Sequence, residues 1–71
     1  MAINKLRELR EQLGKTQQEF ADELGTTRAC ISNYETGRRE PNGVFFAKLK
    51  ANYRLTDKAI GEIILEFAKQ K

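Results

Sequence analysis

The chain has 71 residues, of which 32% are charged and 39% hydrophobic, and its mean hydropathy is −0.65. This length leaves room for one hydrophobic core, so we expect a single domain over residues 1–71. The composition is typical of a globular chain, and no apolar run approaches the roughly 20 residues of a membrane span. Because the only methionine is Met1 and charged residues follow it closely, we expect an intact small protein without a signal peptide.

Histidine is absent, and Cys30 is the only cysteine. Without His the chain cannot build Ser-His or Cys-His nucleophilic systems, and it lacks a common general base and metal ligand. One thiol makes neither an internal disulfide nor a structural zinc site, which fits a reducing cytoplasm. We therefore expect no enzyme activity, no metal, no cofactor and no small-molecule substrate, which leaves a binding module or a structural piece.

The net charge of +3 is unevenly distributed along the chain. Residues 1–35 carry five basic and six acidic groups, a net of −1, whereas residues 36–71 carry eight basic and four acidic groups, a net of +4. The change begins at Arg38 and Arg39. A small positive total indicates a polyanionic partner only weakly, so the position of these charges matters more than their sum.

Apolar residues at helical spacing predict five short helices, punctuated by glycines and one proline. The first covers roughly residues 2–13 and ends at Gly14. Its apolar face consists of residues about one turn apart: Ile3, Leu6, Leu9 and Leu13. Thr16 and Glu19 form an S/T-x-x-E capping box for a second helix over roughly residues 17–24.

The remaining helices follow the same logic. Thr27 caps a third helix over residues 28–35, and Asn42 caps a fourth after Pro41. The inner face of the fourth helix consists of Phe45, Phe46, Leu49 and Tyr53. A fifth helix over residues 56–70 carries an apolar stripe of Ile60, Ile63, Ile64 and Phe67. Since nothing alternates at the period of a strand, the fold class predicted is all-α.

The segment between the second and third helices has a specific pattern. Two helices that cross steeply through a three- to four-residue turn need a residue with positive φ, which Gly25 provides, and a small residue at their contact, which Ala21 provides. Ile31 and Tyr34 are spaced to pack back onto the second helix. This pattern resembles the helix-turn-helix of the lambda-repressor and Cro-like (XRE) family. The resemblance covers about residues 3–55 and rests on TQQEFADELGTTRACISNYETGRREP.

The resemblance implies that the third helix, residues 28–35, enters the major groove of double-stranded DNA. The residues that face away from its core side are the candidates for base contact: Arg28, Ala29, Ser32 and Asn33. Arg28 is the best candidate because its planar fork matches the O6 and N7 acceptors of guanine. The alternative for Arg28 is an ordinary solvated charge.

The resemblance also implies phosphate contacts that position the domain. The candidates are Gln17, Thr27, Arg38, Arg39 and Asn42, although an ordinary basic loop and plain helix-start residues remain alternative interpretations. Arg10 on the first helix and Glu35 at the end of the third occupy positions where the family commonly has a structural ion pair. Cys30 lies on the same helix, and with only Arg28 as a basic neighbour in sequence we interpret it as a small residue near the DNA backbone or the core rim.

The fifth helix has two interpretations that the sequence does not separate. Its apolar residues either cover the core or form a dimer interface, for which the candidates are Ile60, Ile64, Leu65 and Phe67. We expect a cytoplasmic, nucleoid-associated transcriptional regulator of repressor type, in a bacterial cell or a phage-infected host, that binds a two-fold-related operator as a homodimer. The alternative function is a protein-binding module of antitoxin or antirepressor type built on the same fold.

Overall fold

The computed structural model describes residues 4–69, which form five α-helices and no strand. The helices are α1 (Lys5–Gln12), α2 (Gln17–Glu23), α3 (Arg28–Glu35), α4 (Gly43–Tyr53) and α5 (Asp57–Lys69). The all-α prediction is confirmed. The bounds of α3 are those predicted from the sequence, because Thr27 is its N-cap and accepts a hydrogen bond from the backbone N–H of Cys30.

The predicted start of the first helix at residue 2 is wrong. Asn4 has extended backbone angles, φ −91° and ψ 168°, and its side chain caps α1 by accepting from the N–H of Arg7 at 2.9 Å. Leu13, predicted on the inner face, is 36% exposed because it is the C-cap residue, where the chain leaves the helix. The prediction that Ile3 faces the core lies outside the described residues, as does the predicted end of the fifth helix at residue 70.

The turn between α2 and α3 has the geometry predicted from its sequence. Gly25 adopts φ 68°, and its N–H donates to the carbonyl of Asp22 at 3.3 Å. The N–H of Thr26 reaches back to the carbonyl of Ala21 at 2.9 Å. These two bonds close the Schellman motif that ends α2, and only four residues therefore lie between α2 and α3.

All five helices contribute to the core. Ala21 and Ile31 are fully buried, so the two helices of the turn approach closely through a small side chain. The other buried apolar residues are Leu6, Phe20, Leu24, Phe45, Leu49, Ile60, Ile63 and Phe67. Aromatic rings join α4 to its neighbours, since Tyr34 meets Phe45 edge-on with ring centroids 4.9 Å apart. The helix-turn-helix is thereby fixed on a scaffold of α1, α4 and α5.

The apolar stripe of α5 divides between the core and the surface. Ile60 and Phe67 are 8% and 3% exposed, so they pack inside this chain and are not available for a dimer interface as the sequence suggested. Ile64 and Leu65 remain 42% and 54% exposed. The physical reason is angular: at about 100° per residue, Ile60, Ile63 and Phe67 share one arc, and Ile64 falls at its edge.

Candidate DNA interface

The outer face of α3 carries the four residues predicted to contact bases. Arg28 and Ala29 are exposed, and Ser32 and Asn33 are half-buried, whereas Ile31 on the opposite side is fully buried. At about 100° per residue the four lie within an arc of about 140°. They form one continuous strip, polar except for the methyl group of Ala29, and this polar strip begins at the N-terminal end of the helix, the end that a recognition helix inserts into the groove.

The N-terminal end of α3 is open to solvent. Thr27 is exposed, and its Oγ1 accepts from the N–H of Cys30 at 3.1 Å, which leaves the hydroxyl proton free to donate outward. Arg28 follows as the first helical residue and is also exposed. A hydroxyl donor and a guanidinium at a helix N-terminus suit a phosphate and a base edge, respectively.

The basic loop is fastened to the C-terminal end of α3 by its backbone. Gly37 adopts φ 78°, and the N–H groups of Arg38 and Arg39 both donate to the carbonyl of Asn33, at 2.9 and 3.2 Å. Both arginine side chains are exposed. Two positive charges are therefore held next to the polar strip of α3 by hydrogen bonds that do not use their guanidinium groups.

Arg10 and Glu35 form a two-pronged salt bridge between α1 and α3. The guanidinium Nε and Nη2 donate to the two carboxylate oxygens of Glu35 at 2.7 and 3.1 Å, and the side chains are only 13% and 3% exposed. The hydrogen bond to Glu35 raises the pKa of Arg10 against the lowering effect of its burial. Since both side chains are largely buried, each depends on the other for its hydrogen bonds.

Gln17 belongs to this same cluster. Its Nε2 donates to Glu35 Oε1 at 3.2 Å, so the side chain predicted to reach a phosphate is anchored between α2 and α3. One N–H of the amide is used by this bond, and the second is left for an outward partner. The structure brings Gln17, Arg10 and Glu35 together and orients the first residue of α2 relative to α3.

Asn42 caps α4 at the edge of the same surface. Its Oδ1 accepts from the N–H of Phe45 at 2.9 Å, and a side chain at Gly43 would meet no atom within 4 Å. The first N–H groups of a helix have no internal partner, so the start of α4 presents donors into open space. Asn42 lines a shallow groove that also includes Tyr34 of α3 and Lys48 of α4.

Cys30 lies at the margin of the polar strip and is half-buried. Burial raises its pKa, but hydrogen bonds from Thr26 and Tyr34 and the positive charge of Arg39 outweigh this, and the net effect is a lowered pKa. Arg28 is the only basic neighbour of Cys30 in sequence, but the fold adds a second one in space. The loop brings Arg39 to Cys30 although nine positions separate them.

Two structural residues near the site were missed from the sequence. Asn4 is 2% exposed, and its Nδ2 donates to the carbonyl of Tyr34 at 2.8 Å, in the last turn of α3. An Asn two positions before Leu6, the first apolar residue of α1, is an N-cap signal that could have located it. Glu23 accepts from Lys15 and from the hydroxyl of Tyr53, both at 2.7 Å, so this carboxylate is engaged within the domain.

The described residues hold no constellation for catalysis by a metal. No group of three or more potential ligands of the His, Cys, Asp and Glu types comes together among residues 4–69. Within the same range, no helix is long and apolar enough to cross a membrane.

Comparison with known proteins agrees with this geometry. A helix-turn-helix family model matches residues 6–55, which is most of the chain and includes α1 to α4. The protein belongs to the XRE-type helix-turn-helix family of DNA-binding transcription regulators. No curated protein and no solved structure gives a significant match to the chain. The resemblance stated from the sequence is thus confirmed, while α5 lies beyond the matched residues.

Proposed function

We propose that this protein is a sequence-specific repressor that binds a two-fold-related DNA operator as a homodimer in the bacterial cytoplasm. The observation that carries the proposal is the polar strip of α3, Arg28, Ala29, Ser32 and Asn33, on a helix whose opposite face is locked into the core. A rigid helix with adjacent base-reading and phosphate-binding side chains is what major-groove recognition requires.

The need for two copies follows from size. One recognition helix reads only a few base pairs, and two-fold-related recognition helices lie about 34 Å apart on DNA. The described part of one chain measures 27 × 25 × 21 Å, so a single copy covers one half-site. We propose Ile64 and Leu65 on α5 as the contact between copies, because they are the exposed apolar pair on that helix.

In vitro selection from a random duplex library tests the proposal. We expect a palindromic consensus with half-sites about one helical turn apart. A matched control is Ala29→Glu, which adds a carboxylate to the exposed first turn of α3, where it suits the helix but repels DNA. This variant should fold and select nothing. Absence of any preferred sequence for the natural chain at low salt would instead favour a protein-binding module of antitoxin or antirepressor type.

The dimer contact makes a separate prediction. Leu65→Asn is expected to raise the dimer dissociation constant by about tenfold or more, since it removes apolar area from the proposed contact and buries a polar amide there instead. Sedimentation across a concentration series measures this. The matched control is Val44→Asn, because Val44 is 63% exposed but lies on α4. Equal dissociation constants for the two variants would place the contact elsewhere.

The basic loop is expected to contribute affinity without sequence preference. Arg38→Ala should weaken binding to the selected site and to a scrambled duplex by the same factor, and should reduce the slope of log affinity against log salt by about 0.9. Fluorescence anisotropy at several salt concentrations measures both quantities. A loss confined to the selected site would mean that Arg38 reads a base instead.

Cys30 provides a direct probe of where DNA lies. As the only thiol in the chain it reports one position, and its lowered pKa favours the thiolate, which is the form that alkylating reagents attack. Alkylation by iodoacetamide is expected to slow about tenfold when roughly 90% of the protein is bound to the selected duplex. The control is a scrambled duplex at the same concentration in moderate salt. If the rate with the selected duplex equals the rate of the free protein, α3 does not lie in the groove as proposed.

A further inference from the structure

The N-terminal end of α1 is hydrogen-bonded to both α3 and α5. Asn4 Nδ2 donates to the carbonyl of Tyr34 in the last turn of α3, at 2.8 Å. The next residue, Lys5, donates its backbone N–H to Glu66 Oε1 of α5 at 2.7 Å. Two consecutive residues therefore connect the proposed recognition helix on one side with the C-terminal helix on the other.

Asn4 is a buried polar side chain, and both its amide oxygen and its amide nitrogen form hydrogen bonds. It is 2% exposed, and Asn4 and Glu35 are the buried polar residues among positions 4–69. Its Oδ1 caps α1 through the N–H of Arg7, while its Nδ2 satisfies a carbonyl at the end of α3. A buried amide that lost either partner would leave an unpaired polar group, so the arrangement admits little displacement.

The carbonyl of Tyr34 is one of the groups that a helix end leaves without its usual partner. The N–H of Arg38 donates to Asn33 rather than to Tyr34, and Gly37 donates to Tyr34 only at 3.3 Å. Asn4 supplies the shorter bond. The adjacent residue Glu35 is bound by Arg10, so α1 contacts two consecutive residues at the C-terminal end of α3. The N-terminal half of α3 is left exposed on its outer face.

Glu66 extends this connection to α5. Its carboxylate accepts the first N–H of α1, where the partial positive charge of the helix end favours an anion. Glu66 follows Leu65 directly on α5 and is half-buried against α1. A shift of α5 would therefore move the end of α1 that holds Tyr34.

We propose that Asn4 and Glu66 are positioning residues that couple the packing of α5 against α1 to the base discrimination of α3. The coupling runs through two hydrogen bonds, from the N–H of Lys5 to Glu66 and from the amide of Asn4 to the carbonyl of Tyr34. This inference rests on the proposed function. Base readout needs side chains placed within about 0.5 Å, whereas phosphate contacts tolerate small displacements. Loosening the connection should therefore reduce the ratio of selected-site to scrambled-duplex affinity more than it reduces either stability or non-specific binding.

The first test compares this ratio among folded variants. Asn4→Asp keeps the acceptor for Arg7 but cannot donate to Tyr34, and should lower the ratio about tenfold, the equivalent of one hydrogen bond. Glu66→Ala should lower it about threefold, and Glu66→Gln, which keeps the Oε1 acceptor, should restore it. The charge-matched control is Thr56→Asp, which retains an N-cap on α5 and should leave the ratio unchanged. Equal losses on both duplexes for Asn4→Asp would overturn the proposal.

The second test uses free protein and no DNA. Amide hydrogen exchange at Gly37 and Arg38 reports the last turn of α3, and should accelerate about tenfold in Asn4→Asp and about threefold in Glu66→Ala. Glu66→Gln and Thr56→Asp should match the natural chain. Because the hydrogen bond of Glu66 goes to α1, unchanged exchange at these two amides in Glu66→Ala would overturn the coupling even if Asn4→Asp fails to fold.

The two tests separate this inference from the proposed function. If the natural chain binds selected and scrambled duplexes equally, the proposed sequence-specific recognition is wrong, and the affinity ratio no longer measures the effect of Asn4. The exchange rates then still decide whether α5 and α3 are coupled. If the natural chain discriminates but the ratio survives in Asn4→Asp, the proposed function stands and this inference falls.

Discussion

Arg10→Met is expected to lower the free energy of unfolding by about 3–5 kcal/mol, because it leaves the Glu35 carboxylate buried without its counter-charge. The carboxylate is 3% exposed and accepts two hydrogen bonds from the guanidinium, whose third bond goes to the carbonyl of Lys15 at 2.8 Å. Gln17 would remain as a partner, but a neutral amide at 3.2 Å does not replace a charge. For a domain of this size the loss is comparable with the whole stability, so the melting temperature should fall by about 15 °C or more.

Chemical denaturation with circular dichroism measures this effect, and a double-mutant cycle shows its origin. Glu35→Leu alone should also destabilise, since it leaves the Arg10 guanidinium largely buried, without its counter-charge and with only the carbonyl of Lys15 as a partner. The double variant with Arg10→Met should recover most of the loss, because two apolar side chains of similar volume need no pairing. If Arg10→Met costs less than about 1 kcal/mol, the salt bridge behaves as a surface pair and does not anchor α3.

Local signals in the sequence were sufficient to predict the positions of α2 and α3. Thr16 and Glu19 close the capping box, with bonds of 2.9 and 3.1 Å between their side chains and backbones. Gly25 and Gly37 adopt the positive φ that their positions after a helix predict. Caps and glycines act through bonds between near neighbours, so their effect can be read without knowing the rest of the fold.

Properties that depend on packing between helices could not be predicted from such local signals. Periodicity showed that α5 has an apolar face, but which part of that face meets the core depends on the angle at which α5 packs against α1 and α4. Ile60 and Phe67 turned out to be inside and Ile64 at the margin. The approach of Arg39 to Cys30 likewise depends on how the loop folds back, which no spacing in the sequence encodes.

The end of α4 and the start of α1 show a third reason why parts of the structure could not be predicted from the sequence. Arg54 adopts a left-handed conformation, φ 51°, without the glycine that marks the ends of α1, α2 and α3. The N–H of Leu55 reaches the carbonyl of Lys50 at 3.0 Å, a bond of the same span as that from Thr26 to Ala21, and it forms here with an unfavourable residue in the left-handed position. Asn4 has an ordinary capping signal, but its second bond to Tyr34, 30 residues away, requires the tertiary fold.

Arg28→Ala is expected to weaken binding to the selected duplex by about 1–3 kcal/mol and to relax the preference at one base pair. The guanidinium is exposed at the first position of α3, where it can reach the O6 and N7 acceptors of a guanine without displacing any internal partner. Since it is exposed, its removal should leave the melting temperature nearly unchanged. Repeating the DNA selection with the variant identifies the relaxed position.

Arg28→Lys separates the shape of the side chain from its charge. Lysine keeps the positive charge but lacks the planar fork, so affinity for scrambled DNA should be retained while much of the preference at that base pair is lost. Arg38→Ala provides the complementary case, with affinity lost and preference kept. If Arg28→Ala weakens all duplexes equally and Arg28→Lys restores them all, the residue contacts phosphate. The bases would then be read by Ala29, Ser32 and Asn33 alone, which offer only a methyl group and two short polar side chains.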